Sequence, residues 1–207
     1  LADNTITALA QGTYSVTVRA TDVAGNSRTD STSSELHVDT TPPTVTVASL
    51  LTTDNTPGIS GTITDNISAG TITISVNVNG QVNTATRVGG TWFLNNGQLT
   101  TLADGTYNVQ ATATDAAGNV GTDGTAGELV IDTVAPIVAI NTLQTNDATP
   151  ALSGTVNDTT AVIKVSVGAQ TNIMATNNGN GTWTLANNTL TMLADGTYNV
   201  VVTATDT

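Results

Sequence analysis

The chain has 207 residues, 38% hydrophobic but only 3% aromatic, with 19 glycines and no cysteine. This excludes disulfide scaffolds and thiolate metal sites and points to a β protein with small, lightly filled cores. Sixteen acidic residues against four basic ones give a formal charge of −12, which repels phosphate backbones and anionic membranes and argues against nucleic acid as a partner. No apolar run approaches the roughly 20 residues needed to span a bilayer, so no direct membrane insertion is expected of this segment. The first residues also lack a basic-then-apolar signal pattern.

Taken in chain order, the first strand motif is LAQGTYSVTVRATD at 9–22, followed by ELHVDTTPPTVTV at 35–47. Beyond it the apolar period is two, the signature of half-buried strands. Strand A is expected at about 44–49 with Val45 and Val47 inward, and strand B at about 58–64 with Ile59 and Ile63 inward. Strand C, about 71–79, carries Ile72, Ile74, Val76 and Val78 on one face. Asn79-Gly80 supplies the positive-φ pair that a tight hairpin prefers, returning the chain into strand D at about 82–88. After Gly89-Gly90, strand E carries Trp92 and Leu94. Strand F runs 106–114 with Tyr107, Val109, Ala111 and Ala113 inward, and strand G runs about 126–131. About seven short strands with no helical periodicity indicate an all-β, immunoglobulin-like sandwich.

The same elements then return. LADGTYNVQATATD at 102–115 and LADGTYNVVVTATD at 193–206 repeat the first motif, ELVIDTVAPIVAI at 128–140 repeats 35–47, and LQTNDATPALSGTVND at 143–158 repeats LTTDNTPGISGTITDN at 51–66. A unit recurring at roughly ninety residues is a tandem array. The register makes residues 1–40 the C-terminal part of one module (strands E to G), 41–133 a complete module, and 134–207 a module lacking its last strand. The simplest expectation is a stretch of a longer array. The competing one is that the broken ends are completed by strands from neighbouring chains in a fibre, since open sheet edges invite pairing.

Gly-Thr-Tyr at the start of strand F, seen at Tyr14, Tyr107 and Tyr198, fits a tyrosine corner, whose phenol bonds back to loop backbone. The alternative is an exposed stacking residue for glycans. Trp92 and Trp183 read as core anchors, the alternative being a ligand platform at one edge.

These motifs resemble the bacterial Ig-like domains of giant repetitive adhesins, such as biofilm-associated proteins and the extender regions of RTX-type adhesins, along the whole chain. The resemblance is carried by Asp104 to Tyr107 and Asp195 to Tyr198 (D-G-T-Y), by Ala20 to Asn26 and Ala113 to Asn119 (A-T-D-x-A-G-N), by the D-T-x-x-P linkers at Asp39 and Asp132, and by Thr56 to Thr62 and Thr149 to Thr155. It departs at Gln11, which stands where D-G-T-Y has Asp and puts a ligand role there in doubt. The resemblance implies an extended stalk on a bacterial cell surface, extracellular, that projects an adhesive tip and is often stiffened by calcium between modules. Its partners would be neighbouring modules of the array.

The aspartates point the same way on their own. Fourteen of the sixteen acids are Asp, essentially all in expected loops or strand ends. In a seven-strand sandwich the BC, DE and FG loops share one pole and the AB and EF loops and the end of G the other. Asp54, Asp104 and Asp132 are therefore expected at the exit of the middle module, opposite Asp158 and Asp206 of the next, while Asp39 meets Asp65 and Asp115 at the first junction. Calcium takes six to eight hard oxygen ligands, so structural Ca²⁺ at the junctions is the expected cofactor. Asp123, Asp30 and Asp147 are weaker candidates. Asp and Asn are turn formers in their own right, so each of these residues also has a purely local reading.

A module about 40 Å long, from strands of eight or nine residues at roughly 3.3 Å each plus loops, gives an array long reach if its linkers are stiff. TPP at 41–43 and VAP at 134–136 already restrict them. Catalysis has no support: His37 is the one histidine, on strand G where the next module has Val130, and Arg19, Arg28, Arg87 and Lys164 recur at no common place. Two other classes stay open, a ligand-binding module using Thr/Asn-rich sheet faces for glycan or protein, and a self-associating fibre or biofilm-matrix protein whose partners are other copies of the array.

Overall fold

A computed structural model describes residues 5–66 and 71–206. The first residues of the 1–40 segment, Leu1 to Asn4, and Thr207 of the last module lie outside them. Every regular element among the described residues is a strand, and the chain divides into two compact units, Leu1–Thr133 and Val134–Thr207.

The first unit opens with β1 (Gly12–Tyr14), β2 (Arg19–Thr21), β3 (Ser27–Thr29) and β4 (Leu36–Val38), paired as two antiparallel ladders, β1 with β4 and β2 with β3. The complete repeat follows. Its strands are β5 (Thr44–Val45), β6 (Leu50–Thr52), β7 (Ile59–Thr64), β8 (Thr73–Val78), β9 (Gln81–Thr84), β10 (Thr86–Val88), β11 (Thr91–Leu94), β12 (Gly105–Tyr107), β13 (Val109–Thr114), β14 (Val120–Thr122) and β15 (Leu129–Ile131). They form ladders in the orders β10-β11-β7-β5, β12-β15-β6 and β14-β13-β8-β9.

Two strands of the repeat change sheets. Strand A, expected as one run, is split: β5 is antiparallel to β7, Ala48 N still donates to Ser60 O, and from Leu50 N to Glu128 O the chain runs parallel to β15 as β6. Strand D splits at Ala85, pairing first with β8 as β9 and then with β11 as β10. Each flank of the sandwich is therefore bridged by a strand that bonds to both layers, which removes the long open edges that promote aggregation. Strand F breaks at Asn108, and strand G has an N-terminal half, β14, that lies upstream of the expected 126–131.

Alternation sets the core. β7 and β13 bury every second residue from Ile59 and Val109, β8 does so through Ile74, Val76 and Val78, and Ile72, Leu94, Leu99, Leu102, Leu129 and Ile131 complete a cluster around a fully buried Trp92. Asn79 and Gly80 have φ of 51° and 82°, the paired left-handed conformation of a two-residue hairpin.

The second unit contains β16 (Val138–Ile140), β17 (Leu152–Val156), β18 (Val162–Val167), β19 (Gln170–Asn177), β20 (Thr182–Leu185) and β21 (Val200–Thr205), ordered β16-β17-β20-β19-β18-β21. Here β19 is continuous over eight residues and pairs with β18 through its first part and with β20 through Thr176 and Asn177, doing in one strand what β9 and β10 do in two. Trp183 is again fully buried. Val200, Val202 and Ala204 are half-buried where Val109, Ala111 and Ala113 are fully buried beneath a sandwich that includes β14 and β15.

Candidate functional site

Three turns bring the candidate carboxylates into place. Asp115 follows β13 and opens the turn to Asn119. Its Oδ1 accepts from Asn119 N at 2.8 Å, its Oδ2 from Asn119 Nδ2 at 2.8 Å, and Gly118 N closes back on its carbonyl at 3.2 Å. The first repeat builds the same turn on Asp22 and Asn26. Asp65 follows β7, where its Oδ1 accepts from Asn66 N at 2.8 Å. Asp39 follows β4 and caps the linker by accepting from Thr41 N at 3.0 Å. Each is thus a local turn former, as its residue type favours.

They also meet. Asp39, Asp65 and Asp115 each offer a carboxylate oxygen such that all three atoms lie within 4.8 Å of one another. Asp115 is only 8% exposed and the other two are half-buried. Burial pushes the Asp115 carboxyl up, but the side-chain and backbone donors of Asn119 outweigh it and hold the group below the ordinary 3.8, so Asp115 is anionic at neutral pH. Asp65 Oδ2 is buried without a hydrogen-bond partner. Asn119 Nδ2 also reaches the Asp39 carbonyl at 3.1 Å, tying the linker to the repeat.

This donor set fits a hard cation. Calcium binds oxygens at 2.3–2.6 Å, so two ligands on one ion are at most about 5 Å apart, and three carboxylate oxygens within 4.8 Å meet that limit. A buried carboxylate oxygen lacking any donor is costly unless a cation or water supplies the missing interaction.

The remaining candidates are spent differently. Asp54 accepts from Thr56 N at 2.9 Å and from the Asn96 amide, and Asp104 accepts from Thr133 N and its hydroxyl at 3.2 and 2.8 Å. Within the first unit Asp54, Asp104 and Asp132 form no carboxylate trio like the one above. In the second unit Asp158 occupies the loop position of Asp65; Thr160 N–H and hydroxyl hold it below the ordinary value, with the Asp206 side chain contributing as well. Asp30, Asp123 and Asp147 each bracket the Thr two residues ahead.

Three residues outside the expected set matter. Gln11 Oε1 accepts from the Thr41 hydroxyl at 2.5 Å and from the Thr40 hydroxyl at 3.2 Å, fastening the linker where Asp104 fastens Thr133. Asn119 was legible only as a turn residue. Glu128, 4% exposed, accepts from Val109 N at 2.9 Å at the break in strand F, as Glu35 does from Val16 N at 3.0 Å.

The tyrosine corners recur in every repeat, with Tyr14, Tyr107 and Tyr198 donating to the carbonyls of Ala10, Ala103 and Ala194 at 2.8, 2.9 and 3.1 Å. A sequence profile of bacterial Ig-like domains matches residues 46–133 and 141–207. The chain belongs to the bacterial Ig-like domain family. Its first Ig-like match covers the repeat that carries Asp54, Asp65, Asp104, Asp115 and Asp132, and its second the repeat that carries Asp158 and Asp206.

Among solved structures, a tetra-tandem repeat in the extending region of a large adhesion protein is 29% identical, with 96% of this chain and 54% of that one covered and a TM-score of 0.40. This Ig-like chain thus spans about half the length of that structure. The fibronectin(III)-like modules of Clostridium thermocellum CbhA are 13% identical over 78% of this chain and 84% of that one, with a TM-score of 0.42. Murine CEACAM1b is 13% identical over 70% and 84%, with a TM-score of 0.34. No curated protein matches.

Proposed function

We propose that this chain is a stalk segment of a large bacterial surface adhesin, extracellular, in which Asp39, Asp65 and Asp115 hold a structural calcium that stiffens the junction between successive Ig-like repeats. The observation that carries the reading is the meeting of three carboxylates from a linker and two loops of the following repeat, with Asp65 Oδ2 buried and lacking a donor. Without a counter-ion those groups repel. A cation there would exchange that repulsion for a tie between linker and repeat, removing hinge freedom. At the roughly 10⁻⁴–10⁻³ M affinities of extracellular modules, such a site fills outside the cell and stays empty in the cytosol.

The D-T-x-x-P linker recurs at Asp132, so the same proposal extends to Asp54, Asp104 and Asp132 of the first unit and to Asp158 and Asp206 of the second, each unit taken by itself, as calcium candidates. A fibre built by edge pairing gains less support, because the complete repeat covers both flanks with sheet-changing strands. Nor does a catalytic role gain any: His37 is exposed and bonded to the Thr13 hydroxyl at 3.0 Å.

Thermal unfolding and small-angle scattering, with millimolar calcium and with magnesium as control, test the reading. A calcium-specific rise in melting temperature and a longer particle, both lost in Asp65→Asn, are expected. An identical response of the parent chain to calcium, magnesium and chelator would overturn it.

A further inference from the structure

The chain has four Asn-Gly pairs, at 79–80, 96–97, 178–179 and 180–181, all with exposed Asn. Exposure therefore does not separate them, but their hydrogen bonds do. In three of them the glycine N–H is already engaged: Gly80 donates to Asn77 Oδ1 at 3.0 Å, Gly97 to Thr56 O at 2.8 Å and Gly179 to Asn177 Oδ1 at 3.1 Å. Gly181 instead is held through its carbonyl, which accepts from Val156 N at 3.0 Å. The amide oxygen of Asn180 meanwhile accepts twice from one residue, from Thr182 Oγ1 at 2.6 Å and Thr182 N at 3.2 Å. Asn178 Nδ2 donates to the same hydroxyl at 2.9 Å, so the donors run in a chain that polarises the last bond.

We infer that Asn180 is a site of self-activated deamidation, with the Thr182 hydroxyl and N–H acting as an oxyanion hole for the side-chain amide. The Gly181 nitrogen, losing its proton to solvent base, attacks Asn180 Cγ. Negative charge develops on Oδ1, where the two donors already point. The new C–N bond closes a succinimide as the amide nitrogen leaves with a proton as ammonia. Water then opens either ring carbonyl to give aspartate or isoaspartate. The substrate is the chain itself, with water as co-reactant and ammonia as product. The corresponding turn of the middle repeat is Gly89-Gly90, with no amide to convert. The activated turn therefore belongs to the last repeat and not to the middle one, and conversion there adds a negative charge and, as isoaspartate, an extra backbone carbon three residues before the buried Trp183.

The test is peptide mapping by mass spectrometry on the full chain aged at mildly alkaline pH, alongside Thr182→Val and Thr182→Ser, with melting temperature as the check on folding. Asn180 should convert roughly tenfold faster than Asn79, Asn96 or Asn178. That is below the 10²–10³ of a preorganised enzyme donor because water is not excluded from this turn. Thr182→Val should bring Asn180 down to the rate of the other three, and Thr182→Ser should restore it. Equal conversion at all four pairs, or an unchanged Asn180 rate in a folded Thr182→Val, overturns the inference.

Discussion

Trp92 donates its indole N–H to the carbonyl of Thr46 at 2.9 Å, and Trp183 makes the same bond to Ala139 at 2.9 Å. Each indole reaches from strand E across the strand between them, over Gly61 or Gly154, to strand A of the same sheet, so the largest core side chain also fixes where strand A lies. Such an approach requires the residue opposite to be small. A Cβ built on Gly61 or Gly154 would overlap that same carbonyl oxygen and press on the indole. These glycines are demanded by close backbone approach rather than by an unusual φ.

Gly61→Ala should therefore displace strand A and destabilise the middle repeat by about 3 kcal/mol or more, the upper range of overpacking in a dense core. Trp92→Phe should cost about 2–3 kcal/mol through a lost bond and a partly filled cavity. Urea unfolding followed by circular dichroism measures both, and changes within about 0.5 kcal/mol of zero would show that strand A is not held this way.

Tyr107→Phe removes only the phenol bond to Ala103 O, in a corner at the break in strand F. A loss of about 1 kcal/mol is expected, the net value of one hydrogen bond. Tyr14→Phe should act alike, because its corner has the same geometry.

The core was readable because β strands bury alternate residues, so Ile59, Ile63, Ile74, Val76, Val109 and the tryptophans announce themselves by period and size. The breaks in strands A and G were not. The alternation of Val45 and Val47 lapses at Ala48 and Ser49 without saying where the chain goes next, and only the partner carbonyls decide that it leaves β7 for β15 after Ala48. β14 is built around Gly121, which reads as a turn residue but is required because the Pro43 carbonyl presses on it. The meeting of Asp39, Asp65 and Asp115 followed from loop topology alone. Asp54 and Asp104 looked equivalent in sequence, yet Asn96 and Thr133 engage them locally, a choice no spacing encodes.

Glu128 is the most buried acid among the described residues, and its role sets an acid limit on the fold. Burial raises its pKa, but donors from Thr125 and Val109 outweigh this and hold it below the ordinary 4.5. A group depressed in the folded state contributes stability above its unfolded value and loses it as pH falls through the folded one. The repeat should thus be at full stability near neutrality and weaken progressively below pH 4.5. Glu128→Ala leaves Val109 N–H buried without an acceptor, so it should cost about 1–3 kcal/mol at neutral pH. Glu128→Gln, which keeps an acceptor, should cost less and flatten the acid slope. Parallel pH profiles for the parent chain and Glu128→Gln would contradict this assignment.

Asn119 holds the Asp115 carboxylate and the Asp39 carbonyl with one amide nitrogen, at 2.8 and 3.1 Å. If calcium occupies the aspartate trio, Asn119 acts on it through a ligand rather than by binding it. Outer-shell partners of this kind are typically worth 10–100-fold in metal affinity. Asn119→Ala should accordingly weaken calcium binding at least about tenfold while leaving the core intact, since the residue lies in a turn outside it. Asn119→Asp replaces the donor with a fourth carboxylate. Metal-free, it should melt lower than the parent because like charges crowd the turn, and calcium should recover more stability in it than in the parent. Titration calorimetry and calcium-dependent melting of the three chains measure these effects. Equal affinities across all three would mean that Asp115 needs no orienting partner and that Asn119 serves the linker alone.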